Sequence, residues 1–248
     1  MTWYERLQLA VAPVQLPLRA EVRRRLRQLT AEQPGLRLLD VGGRRSPYTI
    51  GVPASVTVTD LPRASAVQQQ LHLGLTQELQ SDLHRRRTNV AEVILDDMTR
   101  SELPAESFDA VVSVEVLEHV DEDDLFLANA SAVLRPGGWF LMTTPNGDNR
   151  PIPHGDHRRH YRREQLAELL NRHFERVSID YAICAGAWRT RGLASWSIRH
   201  PGATALGMVG NLVNRRESRR PGVAEQAKGT QHLIALAYRK SGDEPTRL

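Results

Sequence analysis

The chain of 248 residues has a single cysteine, Cys184, which excludes an internal disulfide and any cysteine-based zinc cluster and suits a reducing compartment. It has two lysines, Lys228 and Lys240, so the net charge of +4 and the pI near 9.6 are carried by arginine. A basic balance suits phosphorylated, nucleic-acid or anionic-membrane partners, although an arginine-rich proteome gives the same figure. Long hydrophobic runs are missing as well. The opening "MTWYERLQLAVAPVQLPLRAEVRRRL" holds no uninterrupted apolar stretch followed by small residues, so no signal peptide is expected. The longest mainly apolar window near the C-terminus, "GATALGMVGNLV", is far short of the roughly 20 residues that span a bilayer. Repeats and low-complexity tracts are absent too, and these absences together predict a soluble cytoplasmic protein, peripheral to a membrane at most.

What is present is an alternation of strands and helices. Leu18, Val22, Leu26 and Leu29 recur at helical spacing, and Pro34-Gly35 stops that helix. Strands are predicted at 37–41, 55–60, 90–95, 108–114, 139–144, 176–184 and 232–239. Helices are predicted over about 64–87, 123–134 and 163–174, and "RPGG" (135–138) reads as a type II turn. "FDAVVSV" (108–114) is continuous in Val and Ala, as a strand covered on both faces should be. This order predicts an α/β protein with a doubly wound, mainly parallel sheet and ligands at the strands' carboxyl ends. A single domain over 1–248 is the simplest organisation, with an N-terminal helical segment (1–35) and an insertion (185–231) before the last strand.

"LRLLDVGGRRSPY" (36–48) begins as a nucleotide-binding turn and then departs from one. A dinucleotide needs G-x-G-x-x-G to seat its pyrophosphate. Here Gly42 and Gly43 are followed by Arg44, Arg45 and Ser46. Asp60, twenty residues after Asp40 at the end of "VTVTD", stands where an acid accepts both ribose hydroxyls. A phosphate-free adenosine cofactor satisfies both observations.

With "LLDVGG" (38–43), "LPAESFDAVVSVEVLEHVDE" (103–122), "LRPGGWFLMTTPN" (134–146) and "YRREQL" (161–166), the chain resembles the class I S-adenosylmethionine-dependent methyltransferases. The likeness is to the small-molecule branch with ubiquinone-biosynthesis-type and sugar methyltransferases. It departs where Arg44 stands for the second glycine of the family's loop. The resemblance implies a Rossmann-like seven-stranded sheet, parallel except for an antiparallel last strand, and S-adenosyl-L-methionine as cofactor. It implies that Asp40 holds the turn and, directly or through water, the methionine amino group, while Gly42 and Gly43 pass the methionyl part. Asp60 would take the ribose and Leu61 the adenine face. Asp96 or Asp97 would accept from the adenine amino group with Met98 nearby, and Glu115, Val116 and His119 would lie beside cofactor and substrate.

Methyl transfer is an in-line displacement, and an oxygen nucleophile also needs its proton removed, most commonly by histidine. His154, His157 and His160 crowd into "TPNGDNRPIPHGDHRRHYRRE" (144–164). His157 is the first candidate base with Asp156 as orienter, then His160, with His119 another. His157 and His160 as a metal pair lack a third ligand, so no metal is expected. Arg158, Arg159, Arg162 and Arg163 around Tyr161 suit an anionic substrate or a solvated helix entrance; Arg162 displaces the usual N-cap threonine and invites an anion. In the insertion, Ala205, Leu206, Val209, Leu212 and Val213 share one helical face followed by arginines. That face suits a lid or dimer helix covering the site or, through 203–220, a helix meeting anionic lipid or a lipid-linked substrate, with Gly207 and Gly210 as weak points. The function expected is methyl transfer to a hydroxyl of a small molecule or saccharide. RNA or nucleotide methylation is an alternative without a recognisable RNA-binding module, and a non-catalytic cofactor-binding relative is another.

Overall fold

A computed structural model describes residues 1–31, 33, 35–61, 76–153, 155–193 and 196–241. Two helices come first, α1 (Trp3–Val11) and α2 (Pro17–Thr30). Thr2 caps α1, and Glu5 of its first turn is buried, accepting from the Thr88 amide at 2.8 Å and tying the N-terminus to the approach of β3. Pro17 opens α2, whose Leu18, Val22 and Leu26 pack inward as their spacing predicts.

The strands are β1 (Leu36–Val41), β2 (Ala54–Asp60), β3 (Val90–Leu95), β4 (Phe108–Val114), β5 (Leu134–Pro145), β6 (Arg176–Cys184) and β7 (Thr230–Tyr238). They form one sheet in the order β3-β2-β1-β4-β5-β7-β6, parallel from β3 to β5, with β7 antiparallel to both its neighbours. Helix α3 (Gln77–Arg86) precedes β3, α4 (Asp123–Ala132) precedes β5 and α5 (Arg163–Asn171) precedes β6. The expected helix over 64–87 lies outside the described residues from 62 to 75. Neighbouring residues of a strand face opposite sides, and here both sides are covered. Leu39, Val111 and Phe140 pack beneath Phe126, Leu166 and Phe174, whereas Leu38, Val112 and Leu141 pack beneath Val22 and Leu26. This double burial is why "FDAVVSV" is apolar at nearly every position. Strand order reverses at β1, whose neighbours are β2 and β4, and a crevice opens beyond their carboxyl ends.

Two local expectations change. "RPGG" turns inside a longer strand: β5 already pairs at Leu134 with Phe108 and resumes at Trp139 with Ala110, so Arg135–Gly138 bulge out between, with Gly137 at the φ of 73° that a type II turn wants there. In the insertion, α6 (Ala187–Gly192) and α7 (Pro201–Glu217) form a closely packed pair. Gly207 and Gly210 do not break α7. A Cβ on Gly210 would meet the Gly192 nitrogen at 2.9 Å and the Trp188 carbonyl oxygen at 3.0 Å, so glycine is what lets the two helices touch.

Candidate active site

The β1 turn is built on an acid that solvent does not reach. Asp40 accepts from the Tyr48 hydroxyl at 2.9 Å and from the Thr49 hydroxyl at 3.2 Å. Burial pushes its carboxyl up to about 6, and the charge of Arg87 and the hydroxyl donors limit the rise. Gly42 turns the chain at φ 71°, and a Cβ there would lie 2.7 Å from Val116 Cγ2. A Cβ on Gly43 would fall 2.3 Å from the Asp40 carboxyl carbon. Asp40 and Gly43 therefore support the loop from below and stay off the lining of the cavity above it.

That cavity, about 490 Å³, lies over the carboxyl ends of β2 and β4 and is lined by Gly42, Arg44, Asp60, Leu61, Glu115, Val116 and His119 among others. Asp60 stands at the end of β2; its carboxylate takes the Leu61 amide at 2.9 Å and pairs with Arg44 Nη1 at 2.5 Å. A phosphate-free adenosine cofactor fits this end, with an acid for the diol, glycine where backbone must pass closely, and apolar walls in Leu61 and Val116. Asp96, Asp97 and Met98 do not line the cavity. Asp97 caps a short turn by accepting from the Thr99 amide at 3.0 Å, and Met98 is buried. Asp96 accepts from Ser101 Oγ at 3.1 Å and keeps its second oxygen buried without a partner among the described residues.

The opposite end is assembled from distant parts of the chain. Glu115, at φ 55°, accepts from Thr143 Oγ1 at 2.9 Å and lies 3.2 Å from His232 Nδ1 on β7. Arg189 of α6 brings Nη2 to 3.3 Å from His232 Nε2. A guanidinium can only donate, so Nε2 is the acceptor and Nδ1 carries its proton toward Glu115. Burial alone would raise the Glu115 carboxyl, but His232 and the donor Thr143 hold it below the usual range. His232 and Arg189 escape sequence reading because no local motif marks either.

The histidines converge, in a different arrangement from the one expected. His119 lines the cavity with Nδ1 3.3 Å from Asp156 Oδ2. His157 sits edge-on to it, ring centres 4.7 Å apart. His160 is buried behind, with Nδ1 2.7 Å from the Arg150 carbonyl and Nε2 2.8 Å from His157 Nδ1. The carbonyl can only accept, so His160 donates to it and takes the proton of His157 Nδ1. Glu118 is wholly buried and neither of its oxygens has a partner among the described residues. Burial first, then the charge of Glu115, pushes its carboxyl well above the usual range. One ligand atom each from Glu118, His119 and His157 lies within 4.8 Å of the others. Glu118 thus joins His119 and His157, not the His157–His160 pair of the sequence, and an oxygen with two imidazoles would suit a divalent cation. His154 lies outside the described residues.

Two arginines of the run are paired with the protein's own acids. Arg158 pairs with Asp121 at 3.3 Å, and Arg159 pairs with Asp123 at 2.8 Å. Tyr161 is buried and donates to Asp123 at 2.7 Å, so it is no stacking platform. Arg163 lies over the Tyr181 ring, its guanidinium carbon 5.3 Å from the centroid. The anion sought at the start of α5 is Asp148, which accepts from the Arg163 amide at 2.9 Å, while Gln165 takes the Arg162 amide at 3.1 Å.

Comparison with known proteins agrees with the fold. Residues 50–142 match the family described as a methyltransferase domain. The ubiquinone biosynthesis O-methyltransferase of Brucella ovis is 31% identical over 122 residues, which are 45% of this chain and 42% of that protein. The chain thus spans less than half the length of the curated relatives it matches. A SAM-dependent methyltransferase of Archaeoglobus fulgidus superposes with a TM-score of 0.53 at 16% identity, covering 89% of this chain and 94% of that one. The 1,6-didemethyltoxoflavin-N1-methyltransferase of Burkholderia thailandensis, crystallised with its substrate and S-adenosylhomocysteine, gives 0.54 at 19% identity, covering 89% and 79%. The strand order and the β1 turn thus carry the same likeness to a methyltransferase domain that residues 50–142 show.

Proposed function

We propose that this protein transfers a methyl group from S-adenosylmethionine to a hydroxyl oxygen of a small molecule or saccharide. The observation that carries the reading is one cavity holding both Asp60, at the end of β2, and His119, oriented by Asp156. The cofactor supplies an electrophilic methyl group on a sulfonium. Asp60 would hold the ribose hydroxyls once Arg44 yields its carboxylate, Gly42 would let the methionyl part pass, and Leu61 and Val116 would exclude water from the adenosine. At the other end His119 accepts the acceptor's proton as the oxygen attacks, and Asp156 stabilises the imidazolium that results. His157 packs against the His119 ring, and the bond through His160 to the Arg150 carbonyl fixes its orientation. The lone thiol, Cys184, is compatible with a cytoplasmic setting.

A second reading of the same end rests on Glu118. With Glu118, His119 and His157 around a divalent cation, its charge would favour the ionised hydroxyl, and His119 would serve as ligand instead of base. The test is calorimetric titration with S-adenosylmethionine and S-adenosylhomocysteine, then transfer of labelled methyl to phenols and hydroxylated sugars with and without chelator. Micromolar cofactor binding with label on oxygen is expected. Chelator-sensitive turnover restored by Mg²⁺ or Mn²⁺ selects the second reading. Cofactor binding with label only on nitrogen or RNA overturns the proposed acceptor class, and absence of cofactor binding overturns the activity.

A further inference from the structure

Helix α7 faces the protein with its least apolar side. Gly207, Gly210, Asn211 and Asn214 are buried; Asn211 donates to the Val14 carbonyl at 2.9 Å and Asn214 to the Cys184 carbonyl at 2.9 Å. These bonds and the glycine contact with α6 lock the helix in this rotation. The apolar residues consequently point outward: Leu206 is 48% exposed, Val209 49% and Leu212 44%. Successive positions at helical spacing put Arg216 on that same side. Just before the helix, Ile198 is fully exposed at 100%, and Trp196 and Leu193 are exposed as well. Leu193 also lines the active-site cavity.

The segment that builds this surface is strongly basic, although Arg189 turns to His232 and Arg219 to Glu21. Between 185 and 222 the only acid is Glu217, against Arg189, Arg191, Arg199, Arg215, Arg216, Arg219 and Arg220. Exposed leucine, isoleucine and tryptophan beside arginine are the make-up of a helix that lies in a membrane interface. No helix among the described residues is long and apolar enough to cross a membrane, so such an association is superficial. A second copy would bring the same arginines face to face, which like charges oppose.

We propose that the α7 face docks on an anionic lipid surface, with Leu206, Val209, Leu212 and Ile198 seated among the headgroups and the arginines on lipid phosphates. The test is flotation of the full chain with vesicles of phosphatidylglycerol and phosphatidylcholine, and with phosphatidylcholine alone, at low and high salt. Binding to the anionic vesicles only, weakened by salt, is expected. The double variant Leu206→Glu/Leu212→Glu is expected to lose roughly tenfold or more in partitioning while keeping its thermal midpoint and its affinity for S-adenosylhomocysteine. Equal binding to both vesicle types, or undiminished binding by the double variant, overturns the proposal. So does a concentration-dependent dimer in light scattering that the same double variant abolishes, since that assigns the face to a second copy.

Discussion

Asp40 and Glu118 are both fully removed from solvent around the same cavity, and the protein treats them oppositely. Asp40 has a hydroxyl donor on each oxygen and the charge of Arg87 nearby, and its carboxyl rises only to about 6. Among the described residues Glu118 has no donor on either oxygen, and burial, then the field of Glu115, pushes its carboxyl well above the usual range. An orphaned buried carboxyl is costly, and a fold keeps one where something else completes it. The cofactor end is thus a finished scaffold. The acceptor end is a set of groups awaiting a proton or a cation.

The largest expected effect breaks the finished end. In Asp60→Ala, S-adenosylhomocysteine affinity measured by calorimetry should fall by about 100-fold or more, since two charge-assisted hydrogen bonds of about 1.5–3 kcal/mol each disappear. The thermal midpoint should fall modestly as well, because among the described residues Asp60 pairs with Arg44, whose nearly buried guanidinium then loses its partner. The next effect breaks the other end. His119→Ala should lower kcat by about 100-fold or more with cofactor affinity within about twofold. His160→Ala should act more weakly, through the orientation of His157.

A third experiment sharpens the contrast through pH. The folded-state carboxyl of Asp40 sits at about 6 against 3.8 for the free group, so the native state binds this proton more tightly than the unfolded one. Stability from this site is therefore fully present below pH 4 and is lost as pH rises to about 6. Two units correspond to at most about 3 kcal/mol. Urea unfolding of the protein and of Asp40→Asn between pH 4 and 7.5 should differ in slope across that window, with the variant flatter. Parallel slopes would mean that Arg87 and the hydroxyl donors cancel the effect of burial.

The finished end is also the end that sequence reading reaches. Leu36–Val41 and Phe108–Val114 are recognisable because both sheet faces are buried, and Asp60 stands out because the β1–β2 spacing is local. The acceptor end is built across long separations. His232 meets Glu115 from 117 residues away, Arg158 and Arg159 pair with Asp121 and Asp123, and the Arg163 amide reaches back to Asp148. No spacing rule encodes such pairings. Helix α7 shows a different limit. Its apolar stripe is evident from the sequence, yet glycine contact and asparagine hydrogen bonds decide which side is buried, and they choose the polar one.

The smallest expected effect concerns Arg44, which stands where the family resemblance places a second glycine. Its pair with Asp60 is almost dry, with side chains 13% and 9% exposed. A ribose diol that takes Asp60 competes with that guanidinium. In Arg44→Gly the ligand-free protein keeps a buried carboxylate with one amide donor, a cost that cofactor hydroxyls relieve on binding. The ligand-free thermal midpoint should therefore fall, and affinity for S-adenosylhomocysteine should rise by about threefold to tenfold or more, since a nearly buried pair is worth at least the roughly 1 kcal/mol of a surface one. Arg44→Lys should leave affinity near that of the parent. A loss of affinity in Arg44→Gly would reverse the assignment and make the arginine a contact of the cofactor, so this one titration decides whether the departure from the glycine loop restrains the site or completes it.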